Sequence, residues 1–383
     1  MIKYNEKISG RHNMEDRHKI FRDSDGTEYS TRDSAHCSFE PPEDYSPASD
    51  ETPPPFCGNT EKVRSSFSSL HLALVAFVLI SQAVGTVLQV LAMIILPEEM
   101  MAREDILGYL TMAINVVAMY LTAFPVFLYM TKKIPKASAV SGDRMTGGEF
   151  ATLFVIAQGA MLGGAIIGNI FNSIVNIITG VMPENNLDTI INAIPLWLTF
   201  LVVVVIGPII EEIVFRKVMI DRLSVVGEGW AILFSSIAFG LFHGNLYQLF
   251  YATLVGLIFG YVYTRTRDIR YSIALHMLIN FAGSILPTAI AKLSEALPED
   301  AVMAITLGYA ALQYAFLLFG AIAGVFYFLK GGFKLRNERD IQLLEGEGLK
   351  TVLRNPGVTA FYLLSLAIMV TTIISEVLTY YAA

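Results

Sequence analysis

Two adjacent glutamates, Glu211 and Glu212, close an apolar run that extends from Ile194 to Ile210. A carboxylate at bilayer depth costs about 2.5–3.5 kcal/mol even on the lenient insertion scale, so two side by side imply a use. Arg216 stands four residues after Glu212, on the same helical face. The acid precedes the base, which is the better order for such a pair. Glu211 is turned away by about 100°. Arg216 therefore neutralises and positions Glu212, and Glu211 is left to a water or a substrate. Pro208 removes a backbone donor, loosens the helix beside the acids and helps to admit water.

Of the six histidines, only His243 and His276 lie well inside apolar segments. His12, His18 and His36 fall in a polar N-terminal tail, and His71 starts the first apolar stretch. His276 and Asn280 are four apart on one face, as are Phe239 and His243. A carboxylate and an imidazole that share a water form a general-base pair. Burial and a nearby cation push the glutamate in opposite directions and so tune it. A second histidine with an asparagine supplies donors for a developing oxyanion, a contribution of about 3–4 kcal/mol when one donor is lost. The set is that of a hydrolase without a serine or cysteine nucleophile. Ionisable groups inside a membrane face one another or a water-filled cavity, so Glu211, Glu212, Arg216, His243, His276 and Asn280 are expected to converge.

The elements that must position them are membrane helices. Mean hydropathy is +0.54, with 54% hydrophobic and 16% charged residues, the composition of a polytopic membrane protein. Nine apolar stretches, at about 70–96, 107–130, 150–181, 190–215, 230–244, 246–264, 271–291, 302–329 and 357–381, approach the roughly 20 residues a bilayer core requires. The fifth is short, so eight spans with a re-entrant piece is the alternative to nine. The fold expected is all-α, a polytopic membrane bundle of eight or nine helices. Residues 1–65 read as a disordered cytoplasmic tail, 66–185 as N-terminal membrane helices, 186–292 as the catalytic core and 293–383 as C-terminal membrane helices.

Cys37 and Cys57 both lie in the tail and define no disulfide framework or metal motif. No signal peptide opens the chain. Basic residues gather before the first stretch and after the second, fourth, sixth and eighth, including Arg216, Lys217 and Arg222 and, later, Arg336. The intervening loops carry acids such as Glu184 and Asp188. By the positive-inside rule the protein is a multi-pass cell-membrane protein with a cytoplasmic N-terminus. The net charge of −7 offers no support for a nucleic-acid partner.

Depth raises a conflict. At about 1.5 Å per residue, Glu211 lies about 8 Å from Arg216 and His276 about 9 Å from Arg270. His243 would stand about 20 Å beyond Trp230, so the fifth segment must tilt or begin within the membrane. Plainer readings exist for each piece alone: acids as helix–helix glue, a histidine or Asn280 as an interhelical hydrogen-bonding group. Asn169, Asn172 and Asn176 share a face of the third span as packing or cavity lining. Gly164/Gly168 and Gly256/Gly260 read as close helix contacts, and Glu376 as interfacial.

Taken together, Glu211-Glu212-Ile-Val-Phe-Arg216, Phe239-Gly-Leu-Phe-His243-Gly-Asn245 and His276-Met-Leu-Ile-Asn280 resemble the motifs of the CPBP intramembrane proteases. That family includes the type II CAAX prenyl proteases and bacterial abortive-infection proteins. The resemblance covers about residues 190–290. It implies an endopeptidase acting on a membrane-associated protein or peptide, with water activated by Glu211 and His243 and the oxyanion held by His276 and Asn280. Glu212, Arg216 and Phe239 support them. No cofactor is expected; a divalent metal such as zinc is the alternative, although the chain has no HExxH and no helix with two histidines. Lys217 departs from the glycine common at that position and adds a charge near the site. The rival readings are an inactive relative serving as scaffold or bacteriocin self-immunity factor, and a Glu/His-coupled transporter, for which residues 70–190 supply no repeated acidic segment.

Overall fold

The computed structural model of the chain describes residues 20–22, 28–30, 60–137, 141–183, 191, 193–335 and 354–382. Most of the tail, with Cys37, Cys57, His12, His18 and His36, lies outside the described residues, as do Glu184, Asp188 and Arg336. Within the tail, β1 (Ile20–Arg22) pairs antiparallel with β2 (Glu28–Ser30), Phe21 opposite Tyr29.

The rest is helical, because backbone groups in hydrocarbon must be satisfied within their own segment. Eight helices among the described residues are long and apolar enough to cross a bilayer. They are α1 (Glu61–Ile95), α2 (Glu104–Thr131), α3 (Gly147–Thr179), α4 (Leu196–Val226), α6 (Leu246–Thr266), α7 (Ile269–Ser294), α8 (Glu299–Leu329) and α9 (Pro356–Ala382). The fifth stretch forms α5 (Glu228–Phe242). At about 1.5 Å per residue it is roughly 22 Å long, short of a core of about 30 Å. Of the two counts expected, eight spans and a shorter helix is the one observed.

Two boundaries differ from expectation in a way that matters. Helix α4 runs on to Val226, so Arg216, Lys217 and Arg222 are helical rather than in a loop, and Arg216 and Arg222 are buried. Apolarity falls there, but the helix continues because each cation finds a partner. Arg222 donates to the carbonyls of Val218 (3.1 Å) and Thr131 (2.9 Å), the latter at the end of α2, where it also accepts from the Ile134 N–H at 3.1 Å. His71 lies inside α1, its ring edge-on to Phe361 and Tyr362 of α9.

Helix α3 packs against α6 and α8, α6 against α5 and α7, and α1 against α2 and α9. Glycine makes these crossings close. A Cβ on Gly164 would sit 2.4 Å from the Tyr251 Cα, and one on Gly168 would sit 2.9 Å from the Tyr247 carbonyl oxygen. Gly256 and Gly260 likewise admit Ser236, Phe239 and Ile232 of α5. Of the asparagine row only Asn172 is buried; it lines a cavity of about 70 Å³ together with Asn245, Gln248 and Glu376.

One end of the bundle is stitched by ions. Glu149 caps α3 through Thr146 and pairs with Arg265 at 2.7 Å. Arg267, held at φ +52°, pairs with Glu228 at 2.8 Å, and Arg270 with Asp268 at 2.6 Å. The Arg270 hydrogen bonds hold the Asp268 carboxyl below the usual range.

Gly164→Ala is expected to lower the thermal midpoint in detergent, because overpacking against backbone costs about 1–3 kcal/mol. Gly163→Ala, whose nearest neighbour would be 4.0 Å away, should leave the midpoint unchanged.

Candidate active site

The depth conflict is resolved by a hairpin. Glu211 is fifteen residues before Val226, and His243 is fifteen after Glu228. The two antiparallel arms, each about 22 Å long, meet at Gly227, whose φ of +107° suits glycine. Equal arms bring His243 to the level of Glu211. The α5–α6 turn at His243-Gly244-Asn245 then lies at membrane depth, where irregular backbone must be satisfied by protein. Asn245 does this: its amide Nδ2 donates to the His243 carbonyl at 3.1 Å, and its Oδ1 accepts from the Gln248 N–H at 2.8 Å.

Around Glu212 the structure assembles a buried polar knot. Glu212 and Arg216 are both fully buried, with Nε 3.2 Å from Oε2. The contact is an ion pair without in-line hydrogen-bond geometry. Arg216 also donates to Ser235 Oγ at 2.9 Å, and that hydroxyl donates to the Phe215 carbonyl at 2.5 Å. The face of the guanidinium lies 5.1 Å from the Phe239 ring centre and 5.9 Å from that of Phe259, a favourable cation–π arrangement once desolvated.

His276 bridges the two acids. Its Nδ1 is 3.1 Å from Glu212 Oε1 and its Nε2 is 3.6 Å from Glu211 Oε2. Phe259 stacks on the imidazole at 4.8 Å, and Phe239 meets it edge-on at 5.7 Å. The second shared nitrogen explains why the paired acids are adjacent in sequence: one orients the ring and the other meets its far side. The two carboxylates differ in access, since the Glu211 side chain is 19% exposed and that of Glu212 is 0% exposed.

His243 approaches from the other side of Phe239, at 4.9 Å from that ring. Its Nδ1 is 2.7 Å from the Phe239 carbonyl, which can only accept. In the neutral ring Nε2 is therefore the free acceptor. The imidazole is within electrostatic reach of Glu211 and of His276. Asn280 donates one amide hydrogen to the Val203 carbonyl at 2.9 Å and keeps a second.

Glu211, Glu212, Arg216, His243 and His276 thus surround one region, with His276 rather than His243 in direct contact with the acids, whereas Asn280 bonds the Val203 carbonyl, two turns before Glu211 on α4. Ser235, Phe259 and Asn245 belong to the same assembly although no role follows for them from sequence. A serine or phenylalanine in an apolar helix carries no local signal, whereas Asn245 stands beside His243 as a helix-capping type. Lys217 points away, 3.6 Å from Asp221 and over the Tyr263 ring. Among the described residues no three His, Cys, Asp or Glu side chains are grouped to hold a metal ion. Glu212 Oε1 and His276 Nδ1 are engaged with each other. An open depression of about 600 Å³ lies elsewhere, at the α7–α8 connection around Ser294, Glu299 and Met303. Its largely apolar lining brings no acid–imidazole pair together.

Fold and site define a polytopic helical membrane protein with a buried acid–imidazole–arginine cluster. Residues 193–282 match the family described as type II CAAX prenyl endopeptidase Rce1-like, a segment that holds every cluster residue named here. A Bacillus subtilis (strain 168) protein named "Putative membrane peptidase YdiL" is 32% identical over 167 residues. The match covers 42% of this chain and 66% of that protein, just under two-thirds of its length. No solved structure shows a significant match.

Removing Arg216 alone would strand a buried carboxylate, at a cost of about 3–5 kcal/mol. Arg216→Leu is expected to collapse the yield of monodisperse protein. Pairing it with Glu212→Gln should restore much of that yield, as read by size-exclusion chromatography and thermal midpoint.

Proposed function

We propose that the chain is an intramembrane endopeptidase that hydrolyses a peptide bond of a membrane-embedded or membrane-associated polypeptide. The observation that carries the reading is the division of labour between neighbouring acids. Glu212 is sealed against Arg216 and His276, while Glu211 is partly exposed, with His276 in contact and His243 within electrostatic reach. The family description and the name of the Bacillus relative point the same way.

In this reading a water sits between Glu211 and Nε2 of His243. Glu211 takes one proton as the water oxygen attacks the scissile carbonyl carbon. The carbonyl oxygen becomes an oxyanion, stabilised by Nε2–H of His276 and by the second amide hydrogen of Asn280. When the C–N bond breaks, Glu211 returns its proton to the leaving amine. One water is consumed, and a carboxylate-bearing and an amine-bearing fragment are released. His276 acts as the cationic ring, donating Nδ1–H to Glu212, which orients it, and Nε2–H to the oxyanion, while Arg216 pairs with Glu212 and positions it. No step requires a metal. The N-terminus and the ion-stitched end of the bundle are assigned to the cytoplasm, following the basic residues gathered there.

The substrate is to be sought by comparing membrane proteomes of cells carrying wild type or Glu211→Gln, for a polypeptide that accumulates uncut. Against that polypeptide in proteoliposomes, Glu211→Gln and His243→Ala should each lose at least about 10²-fold in kcat, in line with the loss of a general base, while remaining folded. A fully active Glu211→Gln would remove the assigned base. Wild-type activity should survive exhaustive chelation, and loss on chelation with recovery on adding zinc would reject the metal-free route.

A further inference from the structure

Tyr120 lies on α2, outside the 193–282 segment, and faces the same wall as the cluster. Its side chain packs against the cluster of Met112, Ile194 and Val202, as does that of Val203. A Cβ built on Gly207 would lie 3.2 Å from the Tyr120 hydroxyl, so the hydroxyl rests where Gly207 has no side chain. Gly207 is one turn from Glu211, and the phenol and that carboxylate interact electrostatically.

Val203, Gly207 and Glu211 are spaced by four and form one stripe along α4. Asn280 donates to the carbonyl of Val203, Tyr120 abuts Gly207, and His276 meets Glu211. The Tyr120 hydroxyl thus stands between the asparagine and the general base, approached from a third helix. The residue is half-buried, and its hydroxyl makes no hydrogen bond among the described residues, which leaves that donor available. A phenol is a neutral donor near pH 7, and a neutral donor is compatible with a neighbouring carboxylate where another acid would repel it. Tyr120 also sits in the π-helical segment Val116–Ala123, a distortion frequent at functional sites.

We propose that Tyr120 is a further catalytic residue whose hydroxyl donates to the oxyanion of the tetrahedral intermediate, opposite Asn280. The role rests on the peptidase reading above. The phenol keeps its proton throughout, so the balance of the reaction is unchanged.

The test uses full-length protein in proteoliposomes and a peptide cut from the polypeptide that accumulates with Glu211→Gln. Tyr120→Phe should lower kcat by on the order of 10²-fold, the typical effect of deleting one such donor, with KM within about twofold and an unchanged thermal midpoint. The aldehyde of the same peptide, whose hydrate is tetrahedral, should bind Tyr120→Phe more weakly by a similar factor. Affinity for the uncleaved peptide, measured in the Glu211→Gln background, should not change. A Tyr120→Phe variant with wild-type kcat beside an inactive Glu211→Gln overturns the role of Tyr120 alone. A loss of kcat without weaker aldehyde binding also overturns it. An active Glu211→Gln instead overturns the peptidase reading itself, so the two failures are distinct.

Discussion

A carboxylate and a guanidinium with no exposed surface, Glu212 and Arg216, are the constraint on which the other groups depend. Neither ion is tolerable alone in an apolar interior, and their mutual attraction offsets desolvation only if the remaining polar atoms are also engaged. Ser235, which itself donates to the Phe215 carbonyl, the aromatic faces of Phe239 and Phe259, and His276 from α7 supply part of that engagement, while Arg216 Nη2 has no hydrogen-bond partner among the described residues. The pair thereby pins three helices, α4, α5 and α7, to one another. Glu211 inherits its setting from this arrangement: its neighbour is locked, so its own side chain is directed to the remaining open side.

The helices that border the site are distorted in a shared way. Among the described residues, π-helical segments occur at Val116–Ala123, Phe200–Ile206, Ile213–Ile220 and Phe281–Ile285, in α2, α4 and α7. Pro125, Pro208 and Pro287 each follow the end of one of them by two residues. Proline removes a helical donor and crowds the carbonyl four residues earlier, and a widened turn accommodates that carbonyl. The helix continues, but side chains before and after the wide turn are rotated relative to a regular helix. Glu211 and Glu212 sit between two such segments. Only Pro208 is conspicuous in the sequence, because it alone adjoins the acids; Pro125 and Pro287 acquire meaning from the helices they face.

Much of the architecture was legible from hydropathy alone. Every long apolar stretch is a helix, the short one is the short helix, and the glycine pairs are close crossings, where a Cβ would collide with backbone at Gly164 and Gly168 and crowd mainly side chains at Gly256 and Gly260. The pairing of Glu212 with Arg216 followed from a spacing of four, since local geometry decides it. The extent of α4 did not follow. Hydropathy reads Arg216 and Arg222 as the start of a loop, whereas burial beside Ser235 and the Thr131 carbonyl makes them part of the helix. The apparent mismatch in depth between Glu211 and His243 came from that one misplaced boundary.

What the sequence by itself determined is the inventory and its periodicity: membrane helices, two acids, two imidazoles, an arginine and an amide, each at a spacing that assigns it to a helical face. Partners across helices were decided only by the tertiary structure. It set His276 rather than His243 against both carboxylates, turned the Asn280 amide to Val203, and laid Tyr120 of α2 on Gly207. The reason is physical. Helical periodicity is a local property of the backbone and can be read from one segment at a time. The contact between two rods depends on their relative tilt, rotation and depth, which arise from packing summed over every helix in the bundle.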